Sequence, residues 1–128
     1  MLFNFAGQRP QNLGVSDGKL APCPGTPNCV CSQSDRPDEK IEPLPMVAIA
    51  DLRKIIEAME RTTIIEATDT YLYAEFQSKL MGYVDDVEFY LDSAANVVQV
   101  RSASRLGKSD LGVNRQRVEA IRGAIGQS

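Results

Sequence analysis

From residue 47 onward the apolar and polar positions follow two periods, and each predicts a type of element. In VAIADLRKIIEAMER (47–61), Ala48, Leu52, Ile55, Ile56 and Met59 recur at helical spacing and form one apolar stripe. TTIIEA (62–67) and TYLYAEFQ (70–77) are rich in Thr, Ile, Tyr and Phe, which predicts two strands joined as a hairpin around Thr68 and Asp69. YVDDVEFYL (83–91) and NVVQVRSAS (96–104) predict a second hairpin across DSAA. Pairing Phe89 with Val98 and Val87 with Val100 keeps both apolar pairs on one face. The same register sets Asp86 opposite Arg101 and Glu88 opposite Gln99 on the other. A last helix, from about 111 to 125, carries Val118, Ile121 and Ile125 at helical spacing. Asn114 extends that stripe backwards, and Asp110 or Ser109 suits the N-cap.

Residues 1–46 break the pattern. They hold the prolines and all three cysteines, with no sustained period of either kind. They predict an extended, Pro/Cys-rich N-terminal arm pinned to the body by Leu13, Val15, Leu20 and Val30, with the stretch 32–42 its most solvated part. The expected organisation is therefore an arm over 1–46 packing on a single α+β domain over 47–128. That domain is a four-stranded antiparallel sheet, built from two hairpins, with two helices on one face. By alternation the other face carries Tyr71, Tyr73, Glu75, Asp86, Glu88, Tyr90 and Arg101. Such a face can take a partner or ligand, lie under the arm, or stay solvated with cross-strand ion pairs.

Composition narrows the chemistry. The 128 residues are 43% hydrophobic and 24% charged, ordinary for one soluble globular domain. A formal charge of -3 argues against a general nucleic-acid binder. No apolar run of membrane-spanning length is present, and MLFNFAGQRPQNLG lacks the layout of a signal peptide, so the chain reads as cytoplasmic, with peripheral association at most. There is no histidine, which removes Ser-His-Asp and Cys-His catalysis and imidazole metal sites. No cofactor is expected.

Against that acidic balance, RSASRLGKSDLGVNRQR (101–117) gathers five cationic side chains where a strand hands over to a helix. Arg101, Ser102, Ser104, Arg105, Asp110, Asn114 and Arg117 make a candidate site for a phosphate or carboxylate, since helix-start N–H groups and nearby cations favour anions. The competing reading is structural. Arg101, Arg105 and Arg117 then neutralise a charge network of Asp85, Asp86 and Glu88, while Asp110 caps the helix. Asp85 points toward the helix layer, with Arg105, Arg117 or the Ser102 hydroxyl as partners. Arg115 and Arg122, seven apart, face solvent together. The stretch is not a phosphate-binding Walker A loop, because GxxxxGK[ST] is absent. Asp85 and Asp86 point to opposite faces and do not easily share a metal ion.

In CPGTPNCVC, Cys23 and Cys29 are near enough to close a small disulfide loop, whereas a Cys29–Cys31 bond would be strained. A cytoplasmic setting favours free thiols instead. Zinc lacks a fourth ligand of the usual kind nearby, so no metal site is assigned.

Three motifs together resemble one family: LAPCPGTPNCVCSQ, GYVDDVEFYLD and VRSASRLGKSDLGVNRQRVEAIR. The chain is similar, from about Leu13 to Arg122, to the bacterial and plastid "domain of unknown function 1499" family. Cys23, Pro24, Pro27, Asn28 and Cys29 stand in the first motif, and Asp85, Asp86 and Glu88 in the second. Arg101, Ser102, Ser104, Arg105, Gly107, Asp110, Gly112, Asn114, Arg115 and Arg117 stand in the third. Cys31 departs from the serine expected there, and a histidine that relatives often carry shortly before Ile41 is missing. The resemblance implies no established activity. It leaves room for a peripheral role in assembling a membrane complex.

The reading is a non-enzymatic binding or assembly factor that uses the Arg/Asp/Asn site. The alternative is a small-molecule module for an anionic ligand. A hydrolase or isomerase using Asp85, Asp86 or Glu88 ranks last, because no nucleophile–base pair is evident.

Overall fold

The computed structural model of the chain describes residues 5–107 and 109–127. Two short strands, β1 (Val15–Ser16) and β2 (Lys19–Leu20), form a small antiparallel hairpin. Its turn is Asp17–Gly18, with φ of 53° and 74°, the Asp-Gly pair that tight hairpin turns favour. Then come β3 (Cys29–Cys31), β4 (Leu44–Pro45), α1 (Ile49–Glu57), β5 (Thr62–Ala67), β6 (Tyr71–Gln77), β7 (Val84–Asp92), β8 (Val97–Ser104) and α2 (Val113–Gly126).

The fold is α+β with two helices and antiparallel pairing, but the main sheet has six strands rather than four. Its order is β3-β8-β7-β6-β5, and β4 pairs with β8 further along the same strand. The two extra strands come from the segment expected to be irregular. They occupy the outer edge of β8, whose N–H and C=O groups would otherwise be left as an open template. Three and two residues are too short to show a period of two, so pattern alone could not find them.

The β7–β8 register also differs from expectation. Phe89 pairs with Val100, Val87 with Ser102, Glu88 with Arg101 and Asp86 with Ala103. The shift is two residues, so every side chain keeps its expected face while its partner changes. The turn explains it. Asp92 pairs with Val97 across residues 93–96, and Asn96 takes a φ of 58°, which asparagine tolerates better than serine or alanine. Asp92 Oδ1 accepts the Ala95 N–H and helps fix that loop.

On one face of the sheet, Leu72, Ala74, Phe76, Val87, Phe89, Val98 and Val100 form the core with the helices. Helix α1 contributes Ile49, Leu52 and Ile56, whereas Ala48 is its exposed N-cap and lies outside the stripe. Helix α2 contributes Val118 and Ile121. It starts two residues later than expected because Leu111 and Gly112 both have positive φ, 54° and 81°, which a right-handed helix cannot use.

The other face lies beneath N-terminal residues. Leu20 packs on Tyr71 and Tyr73, with Leu13 partly buried beside them. A disulfide joins Cys23 to Cys29, whose Cα atoms are 5.7 Å apart, and Cys31 and Ala103 complete a second buried cluster. Cys31 is a free, buried thiol, and burial pushes its pKa up. Arg115 and Arg122 do not simply face solvent. Arg115 donates to the Asp38 carbonyl, and Arg122 to the carbonyls of Glu42 and Pro43, so both hold the 38–43 segment against α2. Among the described residues no helix is long and apolar enough to cross a membrane.

Candidate functional site

The residues predicted to form one polar site lie in two networks, separated by the sheet. Strand alternation is the cause: 101 and 103 share one face of β8, while 102 and 104 share the other.

On the face covered by N-terminal residues, Arg105 reaches back over β7. Its Nε donates to Asp86 Oδ2 and its Nη2 to Asp86 Oδ1, both at 2.8 Å, and Nη2 also meets Glu75 Oε2 at 2.6 Å. Tyr73 donates its hydroxyl to Asp86 Oδ1, and Arg9 donates twice to Glu75 Oε2. The hydrogen bond that Arg105 donates to Asp86 leads the forces holding Arg105 protonated, and its pKa is raised. Burial pushes the Glu75 carboxyl up, but hydrogen bonds from Arg9 and Arg105 outweigh it, and the net direction is down.

One row along, Glu88 is fully buried and opposes Arg101. Its Oε2 accepts from the Tyr71 hydroxyl and from the Gly14 N–H, at 2.7 Å for the latter. The Arg101 Nη1 lies 3.7 Å from Oε1, an ion pair without a hydrogen bond. Arg101 also donates weakly to the Pro22 carbonyl. Burial first, then the carboxylates of Glu88 and Asp86, push Tyr71 and Tyr73 respectively well above the usual tyrosine range.

The helix-side network centres on Asn114, which is fully buried. Its Nδ2 donates to Asp110 Oδ2 (2.7 Å), Ser104 Oγ (2.9 Å) and the Asn28 carbonyl (3.1 Å). Its Oδ1 accepts from Ser102 Oγ at 2.6 Å and Arg117 Nη1 at 2.8 Å. Arg117 then meets Asp85 Oδ2 at 2.8 Å and lies over the Phe76 ring, 4.8 Å from its centroid. Asp110 does not bond as a simple N-cap side chain. Its Oδ1 takes the Gly112 N–H and its Oδ2 the Asn114 N–H, which holds the left-handed turn at 111–112. Burial pushes the Asp110 carboxyl up, but the hydrogen bonds from Asn114 and Gly112 outweigh it and its pKa is lowered. Lys108 lies outside the described residues.

Each candidate arginine thus has a carboxylate partner: Arg101 with Glu88, Arg105 with Asp86 and Glu75, Arg117 with Asp85. Asp86 pairs with Arg105 and not with Arg101, and of the three partners considered for Asp85 the structure selects Arg117. Little cationic capacity is left over on these three arginines for an anion.

Apolar residues at the same end of the sheet were not singled out by the sequence. Five of the eight exposed large apolar side chains among the described residues, Phe5, Tyr83, Leu106, Leu111 and Val113, line one cleft of about 690 Å³. Phe5 stacks on Tyr83 at 5.7 Å between centroids. The floor is the row Phe76–Asp85–Ser104 across β6, β7 and β8, and the start of α2 forms one wall. A larger hollow, about 810 Å³, runs along residues 12–39, but of those eight side chains only Val15 borders it. The signal for the rim was present as two leucines inside one polar loop, RLGKSDLG.

Among comparisons with known proteins, the family described as "Protein of unknown function (DUF1499)" matches residues 19–125, in line with the resemblance carried by the three motifs. No curated protein and no solved structure matches the chain.

Proposed function

We propose, for a chain that belongs to this DUF1499 family of proteins of unknown function, a non-enzymatic binding role in which the apolar-rimmed cleft is the docking seat. The polar residues of the 101–117 stretch then serve as its scaffold. One observation carries this reading: among the described residues, most of the large apolar side chains left in solvent gather around a single concavity. Scattered surface leucines need no explanation, but a rimmed apolar patch on a concave surface is a typical binding feature. The backbone adds support. Leu111 is 90% exposed and sits at φ 54°, a costly conformation for a leucine, fixed there by the Asp110 carboxylate.

The anionic-ligand alternative draws less support, because Arg101, Arg105 and Arg117 are already matched by buried or half-buried carboxylates. Leaning away from an enzyme rests on the absence of histidine.

Binding of the neutral apolar dye Nile red tests the reading. The folded chain is expected to bind it saturably, and the pair Leu106→Ser with Leu111→Ser to weaken binding about tenfold through lost apolar contact. Dye binding that is absent, or untouched by the pair, overturns it.

A further inference from the structure

The floor of the cleft is chemically specific, and resting on the docking reading above we infer that it takes an apolar molecule ending in a hydroxyl group. Asp85 is only 8% exposed, and its one ion-pair partner among the described residues, Arg117, engages Oδ2. Among the described residues no side chain engages Oδ1, which is left as an acceptor on the cleft floor. Directly across from it, Ser104 pairs with Asp85 in the β7–β8 register, so their side chains rise side by side. Ser104 Oγ accepts from Asn114 Nδ2, which occupies one lone pair and leaves its own proton to donate. An acceptor and a donor therefore stand together beneath an apolar rim.

A hydroxyl matches that pair. It donates to Asp85 Oδ1 and accepts from Ser104 Oγ, while the apolar body lies along Phe76, Tyr83, Leu106 and Val113. A carboxylate or phosphate head does not match. It brings acceptors to Asp85 Oδ1, itself an acceptor, and would meet Asp110, which lines the cleft and is held ionised by its hydrogen bonds. Among the described residues, the cations bordering the cleft offer little in return. Arg117 is spent on Asp85, Ser102, Asn114 and the Phe76 ring, Arg61 pairs with Glu60 at the exposed rim, and Lys79 is itself exposed. An ammonium head would find Asp85 already neutralised by Arg117 and could not accept from Ser104.

The experiment titrates the full chain with three probes that share a tail: n-octanol, octanoate and octylammonium. Binding is followed by the backbone amide resonances of Ser104, Gly107 and Val113. Octanol is expected to shift them saturably and to bind at least about fivefold more tightly than either charged probe, the worth of one hydrogen bond. Ser104→Ala should erase that preference, while Ser104→Thr, which keeps the hydroxyl on a strand, should restore it. Equal affinity for all three heads, or an octanol preference that survives Ser104→Ala, overturns the hydroxyl assignment. Failure of all three probes while Nile red still binds also overturns it and leaves the docking reading standing.

Discussion

Arg105 holds Asp86 side-on, with Nε on Oδ2 and Nη2 on Oδ1, each at 2.8 Å. Asp86 is 1% exposed, so this fork is what makes its burial tolerable. Arg105→Ala leaves a buried carboxylate without its cation and should cost about 3–5 kcal/mol. The urea midpoint should fall with the slope unchanged. Arg105→Lys should recover only part of the loss, because an ammonium cannot reproduce the fork. A midpoint unmoved by Arg105→Ala would mean that the pair is not structural.

Tyr71 and Tyr73 predict a basic limit to stability. Burial, and then the carboxylates of Glu88 and Asp86, raise both pKa values in the folded chain. A raised folded value means that the contribution is complete below the ordinary tyrosine pKa of about 10 and drains away as pH rises above it. Two of the four tyrosines should therefore ionise only together with loss of structure, read by tyrosinate absorbance against far-ultraviolet circular dichroism. All four ionising together with the circular dichroism unchanged would contradict this.

Leu111 and Asp110 should respond in opposite directions. Leu111→Gly removes a left-handed leucine and should leave stability unchanged or raise it by up to about 1 kcal/mol, after the added freedom of the unfolded chain. It should also weaken Nile red binding, a trade of function for stability. Asp110→Ala removes three accepted hydrogen bonds and should cost about 1–2 kcal/mol. Because the folded Asp110 pKa is lowered, its contribution is present above the ordinary carboxylate range and lost as pH falls through the folded value. Thermal melts of both variants at neutral and acid pH check the pair.

Reduction of Cys23–Cys29 opens a short covalent loop, six residues in separation, and should cost about 2 kcal/mol. Alkylation in denaturant should label one cysteine without reductant and three with it. Three labels without reductant would rule the bond out in the purified protein.

Some of this architecture follows from pattern, and the rest does not for identifiable reasons. Phe89 and Val87 reached their predicted face because period two is insensitive to a shift of two. Glu88 found Arg101 and not Gln99 because the hairpin turn is set by the backbone of Asn96, not by apolar matching. Cys29–Cys31 and Leu44–Pro45 were missed as strands because pairing to an open edge, rather than local pattern, makes them so. The polar stretch 101–117 was found as a unit, but its residues divide between two faces, as alternation along β8 requires. The cleft is not legible in the pattern because Leu106 and Leu111 stand isolated in a polar loop, outside any apolar period.

The central claim is a division of labour: the arginines hold the fold, and the apolar rim binds. Its most direct test is Nile red titration alongside urea unfolding for two variants, Arg105→Ala and the pair Leu106→Ser with Leu111→Ser. The account predicts that Arg105→Ala lowers the urea midpoint yet keeps dye affinity while folded, and that the leucine pair keeps the midpoint yet loses about tenfold in affinity. The reverse pattern, with stability intact and binding lost in Arg105→Ala, would contradict it.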